Sequence, residues 1–259
     1  MITSAGNAKL KLVRALSGRA KDRRAQQLFL AEGVRLVEEA LSTDWPFRFV
    51  LFADGLSERG RKLLAAIQKR GIDTDEIPPK LFASVSETET SQGILAVLTD
   101  EKPLRAKELN FVLIADAVRD PGNLGTLLRS AEAAGVDAAF LAPGTTDAFA
   151  PKVVRAGMGA HFRLPIYEVN WDEVGTQIAA CGWKVYLADM QGLSCWEMDF
   201  VMPLALIIGG EAEGPTQAAR RFAAHTVSIP MRGRAESLNA AVAGSVLMFE
   251  VARRRPNTR

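Results

Sequence analysis

Short apolar runs alternate along this chain with stretches in which apolar positions recur every third or fourth residue. The first pattern reads as buried strand, the second as amphipathic helix. In the first hundred residues LFLA (28–31), FRFVLFA (47–53) and GILAVL (93–98) predict strands, and VRLVEEAL (34–41) and SERGRKLLAAIQKRG (57–71) predict helices. TDEKPLRAKELN (99–110) then loses the periodicity and gains charge and a proline, as a linker does. Beyond it FVLIAD (111–116), AAFLA (138–142), LPIYEV (164–169), WKVYLAD (183–189), LALIIGG (204–210) and TVSIPM (226–231) predict strands. Helical patterns lie between them, among them GNLGTLLRSAEAAG (122–135), VGTQIAACG (174–182) and PTQAARRFAA (215–224). Continuous apolar strands alternating with helices indicate a parallel sheet covered on both faces. The expected architecture is α/β, with a smaller N-terminal domain over 1–98, a linker over 99–110 and a larger domain over 111–259. Ligands of such sheets bind beyond the carboxyl ends of the strands, so the segments that follow the strands are the ones to search.

Composition narrows the class. At 259 residues, 48% of them hydrophobic, the chain is long enough to bury a sizeable core. No apolar run approaches the ~18 residues of a membrane span. The N-terminal MITSAGNAKLKLVRAL lacks the continuous apolar segment of a signal peptide. Cys181 and Cys195 are the only cysteines, His161 and His225 the only histidines, and their spacing fits no zinc or redox pattern. No protein-built metal site is expected, no membrane partner, and a reducing, cytoplasmic location.

Net charge is +2, but its distribution is uneven. Residues 1–24 hold Lys9, Lys11, Arg14, Arg19, Lys21, Arg23 and Arg24 against Asp22 alone, a balance of +6, which leaves −4 on the other 235 residues. A basic end on a mildly acidic body suits a polyanionic partner.

Three strand-end segments carry candidate chemistry. In DAVRDPGNLGTLLRSAEAAG (116–135) a strand runs through a turn into a helix. Asn123 and Arg129 lie about 600° apart round a helix, or about 240° modulo a turn, so they do not share a helical face. Both border the strand-end crevice if Asn123 sits in the loop or the first turn. In IIGGEAEGP (207–215) the glycines let backbone approach a ligand closely, and Glu211 stands where the buried strand opens. This is not the G-x-G-x-x-G fingerprint of a nicotinamide enzyme, and the chain has no Walker-type loop. In SIPMRGRAESLNAAVAGSVLMFEVARRR (228–255) Pro230 ends a strand and Ser237 reads as the N-cap of a helix. From Ser237 to Ala252 the only charged residue is Glu250. A helix apolar on nearly all sides must be buried on nearly all sides, one face against the sheet and the rest against another subunit.

In order and spacing the three segments resemble the three motifs of the SpoU (TrmH-type) RNA 2′-O-ribose methyltransferases, members of the SPOUT superfamily. Asn123 and Arg129 match the first motif, Gly209, Glu211 and Gly214 the second, and Ile229-Pro230-Met231 with Ser237-Leu238-Asn239 the third. The likeness covers about residues 111–255; FLAEGVRLVEEAL, within residues 4–98, more weakly resembles the substrate-binding domain that often precedes it.

The resemblance implies a deep C-terminal trefoil knot, S-adenosylmethionine bound within it, and a homodimer. It implies cofactor contacts at Gly209, Ile229 and Leu238, largely through backbone, and a catalytic cluster of Asn123, Arg129, Glu211, Ser237 and Asn239. A guanidinium hardly deprotonates in proteins, so Arg129 is expected to grip phosphate and stabilise the developing alkoxide rather than act as the base. The 2′-hydroxyl exists only in RNA, so no DNA partner is expected. Ribosomal RNA is the favoured target and transfer RNA the runner-up. A catalytically silent RNA-binding protein on the same scaffold is the reading from a different class.

Overall fold

The computed structural model describes residues 1–100, 108–211 and 213–255. Most of the predicted 99–110 linker lies outside the described residues. The chain forms two compact units, one of residues 1–102 with 149–162, the other of 103–148 with 163–259.

The first unit runs α1 (Ala8–Gly18), α2 (Ala20–Gln26), β1 (Leu28–Glu32), α3 (Val34–Ser42), β2 (Phe47–Phe52), α4 (Glu58–Lys69), β3 (Thr74–Glu76), α5 (Pro79–Ala83) and β4 (Ile94–Thr99). Its sheet has the order β1-β4-β2-β3, with β4 antiparallel to both neighbours and β3 parallel to β2. Alternate residues of a strand face opposite ways, and both faces here are buried. Phe29, Ala31, Ala96 and Leu98 pack with Val37 of α3 and Leu63 and Ile67 of α4. Leu28, Leu30, Leu95 and Val97 pack with Leu10, Val13 and Leu16 of α1. Part of the first core comes from far along the chain: Phe149 lies 4.9 Å from Phe29, and Phe162 lies 5.3 Å from Trp45, between ring centroids.

The basic N-terminal stretch is in large part structural. Lys9 pairs with Asp73 and Asp75. Arg14 donates to the Ala5 carbonyl, and Arg23, 5% exposed, donates to the Leu16 carbonyl at 2.6 Å. Lys11, Arg19 and Lys21 remain exposed.

The second unit contains β5 (Phe111–Asp116), α6 (Pro121–Ala133) and β6 (Ala138–Leu141). After α7 (Pro151–Gly157), which belongs to the first unit, it continues with β7 (Ile166–Glu168), α8 (Trp171–Cys181), β8 (Lys184–Ser194), β9 (Leu204–Gly209), α9 (Gln217–Phe222), β10 (His225–Ser228) and α10 (Ala240–Arg254). Its six strands are all parallel, in the order β10-β8-β9-β5-β6-β7. One face, with Ile114, Phe140, Val185 and Ile207, packs with α8 and α9 through Val174, Ala219 and Phe222. The other receives α6 and α10, whose Leu127, Leu247 and Met248 are buried. Successive strands run outward from β5 to β6 and β7, and then the chain returns to β9's side. The crevice between β5 and β9 is therefore the switch point of the sheet.

Two expectations need correction. β8 extends past the predicted 183–189, because it pairs with β10 twice: Thr226 opposes Leu187, and after a register shift Val227 opposes Leu193. The last helix does not start at Ser237. Asn239 is its N-cap, with its side-chain oxygen accepting from the Ala241 and Val242 amides at 2.9 and 3.2 Å. Asparagine caps as well as serine does, and Ser237 stays in the exposed segment before it. At the far end Glu250 is held by Arg253 and Arg254, whose hydrogen bonds, Arg253's foremost, lower its pKa to about 2 against the opposing cost of burial. Arg254 also donates to the Met198 and Trp196 carbonyls, which ties α10 to the turn after β8.

The double pairing of β8 leaves no room at Gly192, where an added Cβ would lie 2.5 Å from backbone atoms of Thr226 and Val227. Backbone cannot step aside as a flexible side chain can. Gly192→Ala is expected to cost about 2–3 kcal/mol, in the range of overpacked cores. Urea unfolding at constant m-value measures it, and an unchanged midpoint would show that β10 accommodates the methyl group.

Candidate active site

The site is built where β5 and β9 end side by side, with Asp116 directly opposite Gly209. The chain leaving β5 turns at Ala117, whose φ of 54° is left-handed, and enters α6 through Asp120 and Pro121. Asp120 caps the helix by accepting from the Asn123 amide at 2.8 Å. Asn123 is thus in the first turn, the condition under which its side chain reaches the crevice.

Three of the expected catalytic residues meet there. The Asn239 amide nitrogen donates to the Asn123 oxygen at 2.9 Å, and the Asn123 amide nitrogen donates to Glu211 Oε1 at 2.6 Å. The sense of this chain is dictated from one end. The Asn239 oxygen is occupied by the helix amides it caps, so only its nitrogen can face Asn123. Asn123 then accepts with its oxygen and turns its own nitrogen to the carboxylate. One residue from each segment is linked in a single file, across 116 and 88 positions of sequence.

Glu211 also lines a cleft of about 790 Å³ at the sheet's edge, within the usual size of a small-ligand site. Ile208 and Leu247 contribute apolar surface, and Gly209, Gly210, Pro215, Ile229, Ser237 and Leu238 border it. All three expected cofactor residues, Gly209, Ile229 and Leu238, therefore share one cleft, and Ser237 joins them. Its charged lining is Asp189, Glu211, Glu213 and Glu236 against Arg220. Arg129 stands apart: it is exposed on α6 and makes no hydrogen bond or ion pair among the described residues.

Two acidic residues here escape a reading of the sequence by motif. Asp189 accepts from the Gln191 amide and from Arg220 Nη2 at 2.6 Å; these bonds, the backbone one foremost, hold its pKa below the usual carboxylate range. Asp116 is fully buried, which pushes its pKa up, while two hydrogen bonds from Thr216 oppose the shift. A lone acid closing an otherwise apolar strand is the available signal. Among the described residues no group of three or more His, Cys, Asp or Glu could hold a metal ion. No helix among them is long and apolar enough to cross a membrane.

Comparison with known proteins matches two segments of the chain. The SpoU rRNA methylase family matches residues 110–249, and an MRM3-like substrate-binding domain matches residues 7–96. The chain is 37% identical over 253 residues to the 23S rRNA (guanosine(2553)-2′-O)-methyltransferase RlmP of Bacillus subtilis, covering 96% of this chain and 98% of that one. It is 33% identical to a 23S rRNA (uridine(2479)-2′-O)-methyltransferase of Streptomyces viridochromogenes, covering 96% and 91%. Among solved structures, the AdoMet-bound rRNA methyltransferase from Sinorhizobium meliloti superposes with a TM-score of 0.85 at 31% identity, over 97% of both chains. The SpoU methyltransferase AviRb from Streptomyces viridochromogenes, in complex with AdoMet, gives 0.80 at 31% identity, over 95% and 98%. With its three motifs joined by hydrogen bonds at the mouth of one cleft, and with these relatives matched over nearly their whole length, the chain belongs to the SpoU rRNA methylase family.

Proposed function

We propose that this protein methylates a ribose 2′-hydroxyl of ribosomal RNA from S-adenosylmethionine, at the crevice where Asn239, Asn123 and Glu211 are linked. That hydrogen-bonded file is the observation that carries the reading, because it ties the acceptor side of the site to a cleft fitted for the cofactor. The cleft has the right chemistry: apolar surface from Ile208 and Leu247, strand-end backbone at Gly209 and Ile229, and an excess of carboxylates. Backbone groups satisfy an adenine edge without charge, and carboxylates favour a cationic ligand. S-adenosylmethionine supplies a methyl group on a positively charged sulfur.

The chain's own part is alignment and charge. Gly209, Ile229 and Leu238 hold the cofactor, Ser237 faces the acceptor, and the Asn239–Asn123–Glu211 file fixes the wall between them. In-line displacement gains most from such positioning. Arg129, with no partner among the described residues, is available to an RNA phosphate of the bound substrate, which its planar fork can hold with two hydrogen bonds. We read residues 1–98 as the RNA-binding domain and 111–259 as the methyltransferase domain. Close passage of backbone at Gly192 and at Gly209, where an added Cβ would lie 2.4 Å from Pro215, suits a knotted chain. Free Cys181 and Cys195 suit the reducing cytoplasm.

Three outcomes test this reading. Arg129→Lys should leave cofactor affinity unchanged in calorimetry yet cost roughly 2–4 kcal/mol of transition-state stabilisation, as lost oxyanion donors do. Single-turnover methylation of ribosomal RNA measures it, and native turnover would remove Arg129 from the cluster.

The second concerns assembly. α10 leaves Val242 and Phe249 47% and 51% exposed, a large apolar area for a helix this poor in charge. A homodimer through α10 is expected, and a monomer by light scattering at micromolar concentration would exclude it.

The third concerns RNA. Lys11, Arg19 and Lys21 are the basic N-terminal side chains left over from folding, so deleting the whole segment would remove the α1 core with them. Replacing these three by Gln should instead lower the salt dependence of RNA affinity by a slope of about two to three. An unchanged slope would assign the phosphate contacts elsewhere, for instance to Arg35 at the cavity of about 600 Å³ in the first unit.

A further inference from the structure

Asp116 is absent from the lining of the cleft, yet its carboxylate ends β5 at 0% exposure. Burying a carboxyl group is costly unless hydrogen bonds repay it. Here both compensating bonds come from one residue 100 positions away. The Thr216 amide donates to Asp116 Oδ2 at 2.6 Å, and the Thr216 hydroxyl donates to Oδ1 at 3.1 Å. An apolar residue in that place would pack without the cost, so the carboxylate calls for a reason beyond packing.

What Thr216 terminates supplies the reason. Gly209, Gly210, Glu211, Gly214 and Pro215 form one wall of the cleft. This loop leaves β9, folds back through a bridge between Gly210 and Gly214, and ends at Thr216. Its outgoing leg is pressed against β5's exit, since a Cβ on Gly210 would lie 2.3 Å from the Ala117 carbonyl oxygen. Its returning leg crosses Gly209, where an added Cβ would lie 2.4 Å from Pro215 and 2.6 Å from Gly214, and the residue after Pro215 is held by Asp116. The Thr216 hydroxyl oxygen in turn accepts from the Ala219 amide at 3.2 Å, so the same residue starts α9.

We propose that Asp116 is a positioning residue of the cofactor cleft: by gripping Thr216 with two hydrogen bonds it fixes Gly214 and Pro215, the returning leg of the cleft wall, in the shape that receives the ligand. The proposal rests on reading this cleft as the S-adenosylmethionine site. It separates the role of Asp116 from that of Arg129, for Asp116 acts on cofactor affinity and Arg129 on turnover.

The test is calorimetry of the full chain with S-adenosylmethionine, paired with KM and kcat from steady-state methylation. Asp116→Asn can keep both contacts, its oxygen accepting from the Thr216 amide and its nitrogen donating to the Thr216 hydroxyl oxygen. Native-like affinity is expected for it. Asp116→Leu keeps the approximate volume and loses both contacts, and the KM for S-adenosylmethionine should rise about tenfold or more, as for a lost hydrogen bond to a charged group. Its kcat at saturating cofactor should fall by less than its KM rises, because Glu211 lies on the loop's outgoing leg, which stays packed against the Ala117 carbonyl and bonded to Asn123. Thr216→Val, which loses the hydroxyl alone, should weaken affinity about threefold, and it decides the matter should the leucine variant not fold. Native affinity in Asp116→Leu or Thr216→Val would overturn the proposal, as would an asparagine variant as impaired as the leucine one. Failure of the wild-type protein to bind S-adenosylmethionine would remove the reading of the cleft and the proposal together.

Discussion

Parallel pairing of β5 with β9 determines where the segments that leave these two strands can go. The register runs from Phe111 opposite Leu204 to Asp116 opposite Gly209, so two segments far apart in sequence leave the sheet at the same level. Continuous burial of both strands makes a slip expensive, because each residue of either strand would lose its place in the core. From that level α6 starts at one side and the glycine loop at the other. Asn123 and Glu211 come within hydrogen-bond distance as a consequence of strand register.

Charge is unevenly placed along the surface. Around the cleft the charged lining is mostly carboxylate, which suits a cationic small molecule and would repel an RNA backbone. Exposed basic side chains lie on and between α1 and α2 of the other unit, at Arg129 on α6, and at Arg119, Arg232 and Arg234 in loops of the second unit. A near-neutral chain thus assigns the two polarities to different elements. Internal use of Lys9, Arg14 and Arg23 shows why counting charges alone overstates such a surface: a cation that satisfies a buried carbonyl, as Arg23 does at Leu16, is committed to the fold.

Much of this is legible in the sequence, and the exceptions have physical causes. β5, β9 and, in the first unit, β1, β2 and β4 are short apolar runs, which have few readings other than buried strand, whereas β3 is the polar Thr74–Glu76 and escapes such a reading. α1 escapes recognition, although Leu10, Val13 and Leu16 stand at helical spacing, because the cations between them dominate the local signal. The packing of Phe149 and Phe162 against Phe29 and Trp45 is beyond reach, since a local pattern says that a residue is buried and not in which core. Ser237 and Asn239 are equally good caps, and tertiary structure chooses between them: Asn239 caps α10 and reaches Asn123 at once. The motif residues Asn123, Glu211 and Asn239 converge because they border one sheet edge. Arg129 does not, since it lies nearly two turns further along α6 on another face.

Helix α10 explains why the stretch after Asn239 is so small and so apolar. Its first turns must lie close enough to α6 for Asn239 to reach Asn123, and Gly244 permits this. A Cβ there would fall 2.4 Å from Leu127 and 3.2 Å from Ile208, both fully or almost fully buried. Next to that glycine, the Ser245 hydroxyl is 2.7 Å from that of Ser130, so the two helices stay in register beyond their N-termini. Larger residues at these positions would lever the helices apart at the end where the hydrogen-bonded file is made. The consequence of this closeness appears away from α6, where Val242 and Phe249 face outward without cover among the described residues. Close packing against α6 and an exposed apolar face are therefore two sides of one helix.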